Sequence, residues 1–214
     1  MLPHDDLTAN PLHTDDPLAW ERLVDAVGPA SMLVAIERRL SPALRARLGA
    51  EDLWQETLLC AWRDRHQFTW RGLTSFRRWL LQVAEHRLCH HVEAQHAQKR
   101  GGGARNVPLT ESTADRAAVD TATPSRSAVD RELAANLTAT LDSLPEELRE
   151  VVFLRLFEGL ELEAIGARLQ LTLAAVRHRL RRGGELFRTR LGRLAGSSWR
   201  ARDSATAPGE SPAG

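Results

Sequence analysis

"LEAIGARLQLTLAAVRHRLRR", residues 162–182, is the stretch whose reading decides the fold. Its first eight residues space Leu162, Ile165 and Leu169 along one face of a short helix, and Gly166 would let a neighbouring segment come close. The turn "QLT" follows, and from Leu173 a second helical pattern begins, with Thr172 as its expected N-cap. On this second helix Leu173, Val176 and Leu180 face one way, whereas Ala174, Arg177, His178, Arg181 and Arg182 face the other. Small residues beside long cations on an outward face suit a helix laid into the major groove of DNA. Ala174 and Ala175 permit close approach, and arginine reads guanine or holds phosphate. A merely solvated cationic face is the bland alternative; the short helix and tight turn in front of it favour DNA. One local rule is strained: Gln170 stands where a turn glycine is usual, and a left-handed backbone there costs a non-glycine residue roughly 1 kcal/mol.

Upstream, "LPEELREVVFLRLFEG" (144–159) places Pro145 and two glutamates at the start of a further helix, where they suit its dipole. Its apolar stripe is read as Leu148, Val151, Val152 and Leu156, with Gly159 as its stop. The arginine content is concentrated here: Arg177 to Arg193 holds seven arginines against one acid, Glu185, although the whole chain carries a net charge of only +1.

A second helical block lies nearer the N-terminus. In "EDLWQETLLCAW" (51–62), Trp54, Leu58, Ala61 and Trp62 form a core stripe, while Asp52, Glu56 and Arg63 lie opposite, with Gln55 and Leu59 at the edge. After a polar loop, "FRRWLLQVAEHRLCHHVEAQHAQKR" aligns Phe76, Leu80 and Val83 on one core stripe and Leu81, Leu88 and Val92 on another. Trp79, His86 and His90 share one side with Arg77, Arg78 and Arg87 nearby, which is the chemistry of a surface that stacks and holds unpaired bases.

Several function classes drop out. No apolar run approaches the roughly 20 residues of a membrane span, and the acidic N-terminus does not read as a secretory signal. Two cysteines, Cys60 and Cys89, lie inside helical patterns and argue against a disulfide framework, so a reducing cytoplasm is the expected home. His86 and His90 are a turn apart with Cys89, His91 and His96 near, yet the set faces several directions and no second ligand cluster exists; no metal or other cofactor is expected. No phosphate-binding glycine loop, HExxH or GxSxG occurs, so no enzyme is expected.

Taken together, "EDLWQETLLCAW", "SFRRWLLQVAEHRL" (75–88) and "LPEELREVVFLRLFEGLELEAIGARLQLTLAAVRHRLRRGGELFRTRL" (144–191) resemble, in this order, the second and fourth regions of an extracytoplasmic-function (ECF) type bacterial sigma factor. The resemblance implies an all-α chain of two small helical domains joined by a flexible linker. It implies core RNA polymerase and promoter DNA as partners, leaves an anti-sigma factor open as a third, and implies no membrane insertion. Asp52, Gln55, Glu56, Leu59 and Arg63 would face polymerase. Arg77, Arg78, Trp79, His86, Arg87 and His90 would engage the −10 element. Thr172, Ala174, Ala175, Arg177, His178, Arg181 and Arg182 would engage the −35 element. The chain departs from the family pattern where His86 replaces an Asn, His90 an Asp and Gln170 the turn glycine.

The expected organisation is an acidic extension over 1–16, a first domain over 17–98 and a linker over 99–129. A helix-turn-helix domain over 130–194 and a disordered tail over 195–214 complete it. The rival reading is a stand-alone regulator with a LuxR-like helix-turn-helix, which would need neither the Asp-x-x-Gln-Glu face nor the Trp79 side.

Overall fold

The computed structural model describes residues 12, 17–99 and 124–205, and all regular structure among them is helical. In chain order the helices are α1 (Pro17–Val27), α2 (Pro29–Glu37), α3 (Pro42–Arg45), α4 (Ala50–Asp64), α5 (Leu73–Lys99), α6 (Pro124–Asp142), α7 (Glu146–Leu156), α8 (Leu162–Leu169) and α9 (Leu173–Ala205). Most of the acidic extension, most of the linker and the last nine residues of the expected tail lie outside the described residues. The chain divides into two compact units, 1–134 with 157–159, and 135–156 with 160–214.

In the first unit α1, α2, α4 and α5 pack on one another. α2 is apolar nearly all round and forms the centre, with Met32, Ala35 and Ile36 excluded from water. Against it α4 lays Leu53, Trp54, Leu58 and Ala61, and α5 lays Phe76, Leu80, Leu81 and Ala84. Val83, Leu88 and Val92, expected in the α5 stripes, are half-buried. Thr57 also lies in this core; its hydroxyl donates to the Leu53 carbonyl at 2.6 Å, which satisfies it without water. An aromatic chain ties the unit together: Trp20 meets Trp62 edge-on at 5.3 Å and Phe76 at 5.8 Å.

The second unit is the helix-turn-helix. Val151 and Leu154 of α7, Ile165 of α8 and Val176 of α9 form its core, with Leu162, Leu169 and Leu180 against them. Full burial of each such aliphatic side chain contributes about 1.5–3 kcal/mol. Leu156, expected in the α7 stripe, is 47% exposed instead, and Leu154 takes its place. α7 has α8 and α9 as neighbours, so its buried arc turns toward Leu154 and leaves Leu156, its last residue, at the rim.

The turn between α8 and α9 forms as its chemistry dictates. Gln170 adopts the left-handed conformation (φ 55°, ψ 40°), and the Ala175 N–H donates to the Thr172 hydroxyl at 3.2 Å as an N-cap. A side chain at Gly166 would place its Cβ 2.9 Å from the Leu171 carbonyl oxygen, so this close approach is to the turn itself. Gln170→Gly is expected to raise stability by about 0.5–1 kcal/mol, since glycine carries no Cβ penalty in this conformation; an unchanged or lowered denaturation midpoint would contradict it.

Two boundaries differ from expectation. α6 starts at Pro124, inside the segment read as linker, because Pro at the first helical position is favourable and Ala, Arg, Glu and Leu follow. α9 runs on to Ala205, eleven residues into the expected disordered tail, since no proline stands between Leu173 and that point. The division between the units also falls later than the expected linker, at Ala134, within α6.

α7 and α9 are held close by Gly183. A Cβ there would lie 2.6 Å from the Val152 side chain and 3.3 Å from that of Leu148. Gly183→Ala is therefore expected to destabilise the second unit by about 1–3 kcal/mol as an overpacking change, read as a lower melting temperature; a melting temperature at or above that of the parent would reject the close contact.

Candidate polymerase and promoter interface

Gly49 stands just before α4, and its N–H donates to the Asp52 carboxylate at 3.2 Å. Asp52 thus caps its own helix while remaining exposed. Gln55 is exposed, and Leu59, an apolar residue at 47% exposure, stands one turn further along the same edge. Such outward placement of leucine among polar groups suits an interface more than a fold. Asp52 and Gln55 border a cleft of about 270 Å3 whose apolar lining includes Trp20, Trp54 and Leu58. Glu51, on the same rim, accepts a hydrogen bond from the Arg131 guanidinium, which together with that positive charge holds its carboxyl below the usual range against the effect of burial.

Glu56 is placed differently. It is half-buried, with its carboxylate facing Arg87 and His91 of α5. Arg63 is exposed and paired with its neighbour Asp64 at 3.0 Å.

On α5 the six residues read as single-strand contacts fall into two groups. His86 and His90 are exposed, as a nucleic-acid surface needs. Trp79 is half-buried and stacks on Phe68 at 4.8 Å with an interplanar angle of 28°, so one face of its ring is covered. Arg77 is drawn inward: its guanidinium donates to the Val27 carbonyl at 2.6 Å and the Ser31 hydroxyl at 2.8 Å. Burial, with the nearby charge of Arg39, pushes its pKa down to about 10. Arg78 is half-buried, and Arg87 lies against Glu56. Phe68 and Trp70, in the loop before α5, complete an aromatic cluster with Phe76 and Trp79. Their signal in the sequence is a pair of aromatics beside Arg71 in an otherwise polar loop.

On α9, Ala174, Arg177, His178, Arg181 and Arg182 are all exposed on one side, and Thr172 is exposed at the cap; Ala175 is half-buried. Val176 on the other side is fully buried. The outer face of α9 is exposed, and its inner face is anchored. No group of three or more metal-capable side chains occurs among the described residues, and no helix among them is long and apolar enough to cross a membrane.

The sequence pattern that defines ECF sigma factors matches residues 44–195, most of the chain and both helical blocks. The chain belongs to the ECF sigma factor family. This sigma factor is 33% identical over 144 residues to RNA polymerase sigma-H factor of Pseudomonas aeruginosa, covering 64% of its own length and 69% of that protein. It is 35% identical over 139 residues to ECF RNA polymerase sigma factor SigE of Mycolicibacterium smegmatis, covering 65% of itself and half of the relative. It is 28% identical over 134 residues to the ECF sigma-E factor of Escherichia coli, covering 63% and 69%. A solved sigma factor RpoE in complex with the anti-sigma factor NepR from Bartonella quintana aligns over 81% of this chain and 96% of that one, at 19% identity and a TM-score of 0.34. A sigma factor directs promoter-specific transcription, and the stand-alone LuxR-like reading falls away because the family match takes in the first helical block as well as the helix-turn-helix.

Proposed function

We propose that this sigma factor binds core RNA polymerase through the outward edge of α4 and engages promoter DNA through α5 and α9, without enzymatic activity of its own and in the cytoplasm. Asp52, Gln55, Glu56 and Leu59 form the docking edge, with Arg63 at its end. His86, His90 and the open side of Trp79 engage the −10 strand with Arg78, while Arg87, read in sequence as a strand contact, is held by Glu56 instead. Arg77 supports them from within the bundle. Arg177, His178, Arg181 and Arg182, flanked by Thr172, Ala174 and Ala175, engage the −35 duplex. The observation that carries this reading is the exposure of Gln55 and Leu59 on a helix whose opposite side is anchored by Trp54 and Leu58. A folded domain gains nothing from displaying that leucine; a partner does.

The test is transcription in vitro with core polymerase on genomic fragments. Specific transcripts that require both the protein and core enzyme are expected. Sequence-specific DNA binding of equal strength without core enzyme, with no transcript, would overturn the proposal.

A further inference from the structure

Glu56 is set apart from its neighbours on the docking edge by being clamped. Its Oε2 accepts from Arg87 Nε and Nη2, each at 3.2 Å, and lies 2.9 Å from His91 Nε2; Oε1 lies 3.2 Å from the same ring nitrogen. Arg87 and His91 are one turn apart on α5, so both reach the same point of α4. About a third of each of the three side chains remains exposed. Ion pairs this exposed contribute little to folding. What the constellation does achieve is order: a glutamate that would sample many rotamers is fixed in one, beside Gln55 and one turn from Leu59. A side chain ordered in advance does not lose that freedom on binding, which improves affinity about two- to tenfold.

We propose that Arg87 and His91 are positioning residues that present the Glu56 carboxylate to core polymerase. The proposal rests on the assignment of Glu56 to the docking edge. Both groups reach the carboxylate from α5, Arg87 through its guanidinium at 3.2 Å and His91 through its Nε2 at 2.9 Å.

The experiment measures core-polymerase affinity of the full chain, with thermal melts confirming that each variant is folded. Glu56→Ala is expected to weaken binding. His91→Ala and Arg87→Ala are each expected to weaken it by about two- to fivefold. His91→Gln, which keeps a side-chain donor, should restore most of the affinity that His91→Ala loses. Because the two residues act through Glu56, His91→Ala added to Glu56→Ala should cost nothing further. Additive losses in that double variant, or no recovery with His91→Gln, would overturn the proposal while leaving the docking edge in place. Parent-like affinity of Glu56→Ala would instead remove the docking assignment, and the positioning role with it.

Discussion

Gln55→Ala combined with Glu56→Ala is expected to abolish co-purification with core polymerase while the melting temperature moves by no more than a few degrees. The two halves of that expectation have separate causes. Neither side chain contributes to the apolar core of α2, α4 and α5: Gln55 is exposed, and Glu56 takes part only in a partly exposed ion pair, a contribution of about 0–1 kcal/mol. Partner affinity, by contrast, concentrates in a few central side chains, and truncating two adjacent ones costs about 2 kcal/mol or more, over tenfold in affinity. Pull-down with core enzyme and a thermal melt on the same sample check both halves. Undiminished co-purification would reject the docking edge, and a large loss of stability would show that the pair belongs to the fold.

A comparable effect is expected in the second unit. Arg177→Ala with Arg181→Ala should reduce −35-dependent transcription by about 30-fold or more, each good arginine contact to a base being worth about 1–3 kcal/mol of discrimination. Both arginines are exposed while Val176, next to Arg177, is buried on the inner side, so the helix should survive their loss. A promoter series with altered −35 bases separates two roles. If an arginine reads a base, its removal flattens the preference at that position. If it holds phosphate, activity falls on all promoters alike and the salt dependence shallows by about one ion per arginine. Unchanged activity and preference would count against placing α9 in the groove.

Much of this was legible in the sequence where local periodicity and local chemistry decide the outcome. The α4 stripe of Trp54, Leu58 and Ala61, the Thr172 cap and the left-handed Gln170 follow from spacing and turn geometry alone. Long-range pairing was not legible. Arg87 shares a cationic side of α5 with Arg77 and Arg78, which invites a nucleic-acid reading for all three. Yet Arg87 meets a carboxylate 31 positions earlier in the chain, and Arg77 meets carbonyls and hydroxyls of α1 and α2. Periodicity fixes the direction in which a side chain leaves its helix and says nothing of what waits there. Leu156 shows the same limit for burial, since the width of a buried arc depends on how many neighbours a helix has. The helical reach of α6 and α9 was hidden by composition: serine, threonine and glycine lower helix propensity only modestly, and without a proline in the interior the helix continues.

The Gly183 contact has a bearing on where Arg177 and Arg181 sit. α9 is unbroken from Leu173 to Ala205, so Gly183 acts as the fulcrum of a rod whose front arm ends nine residues earlier at Ala174, roughly 14 Å away at 1.5 Å per residue. A bulkier residue that lifted the rod by about 10° would shift its tip by roughly 2 Å along that arm's length, a sizeable fraction of a base-pair step. With α9 in the groove as proposed, packing deep in the second unit is geared to the register of promoter contact, and hydrogen-only bulk at position 183 is what keeps the gearing true.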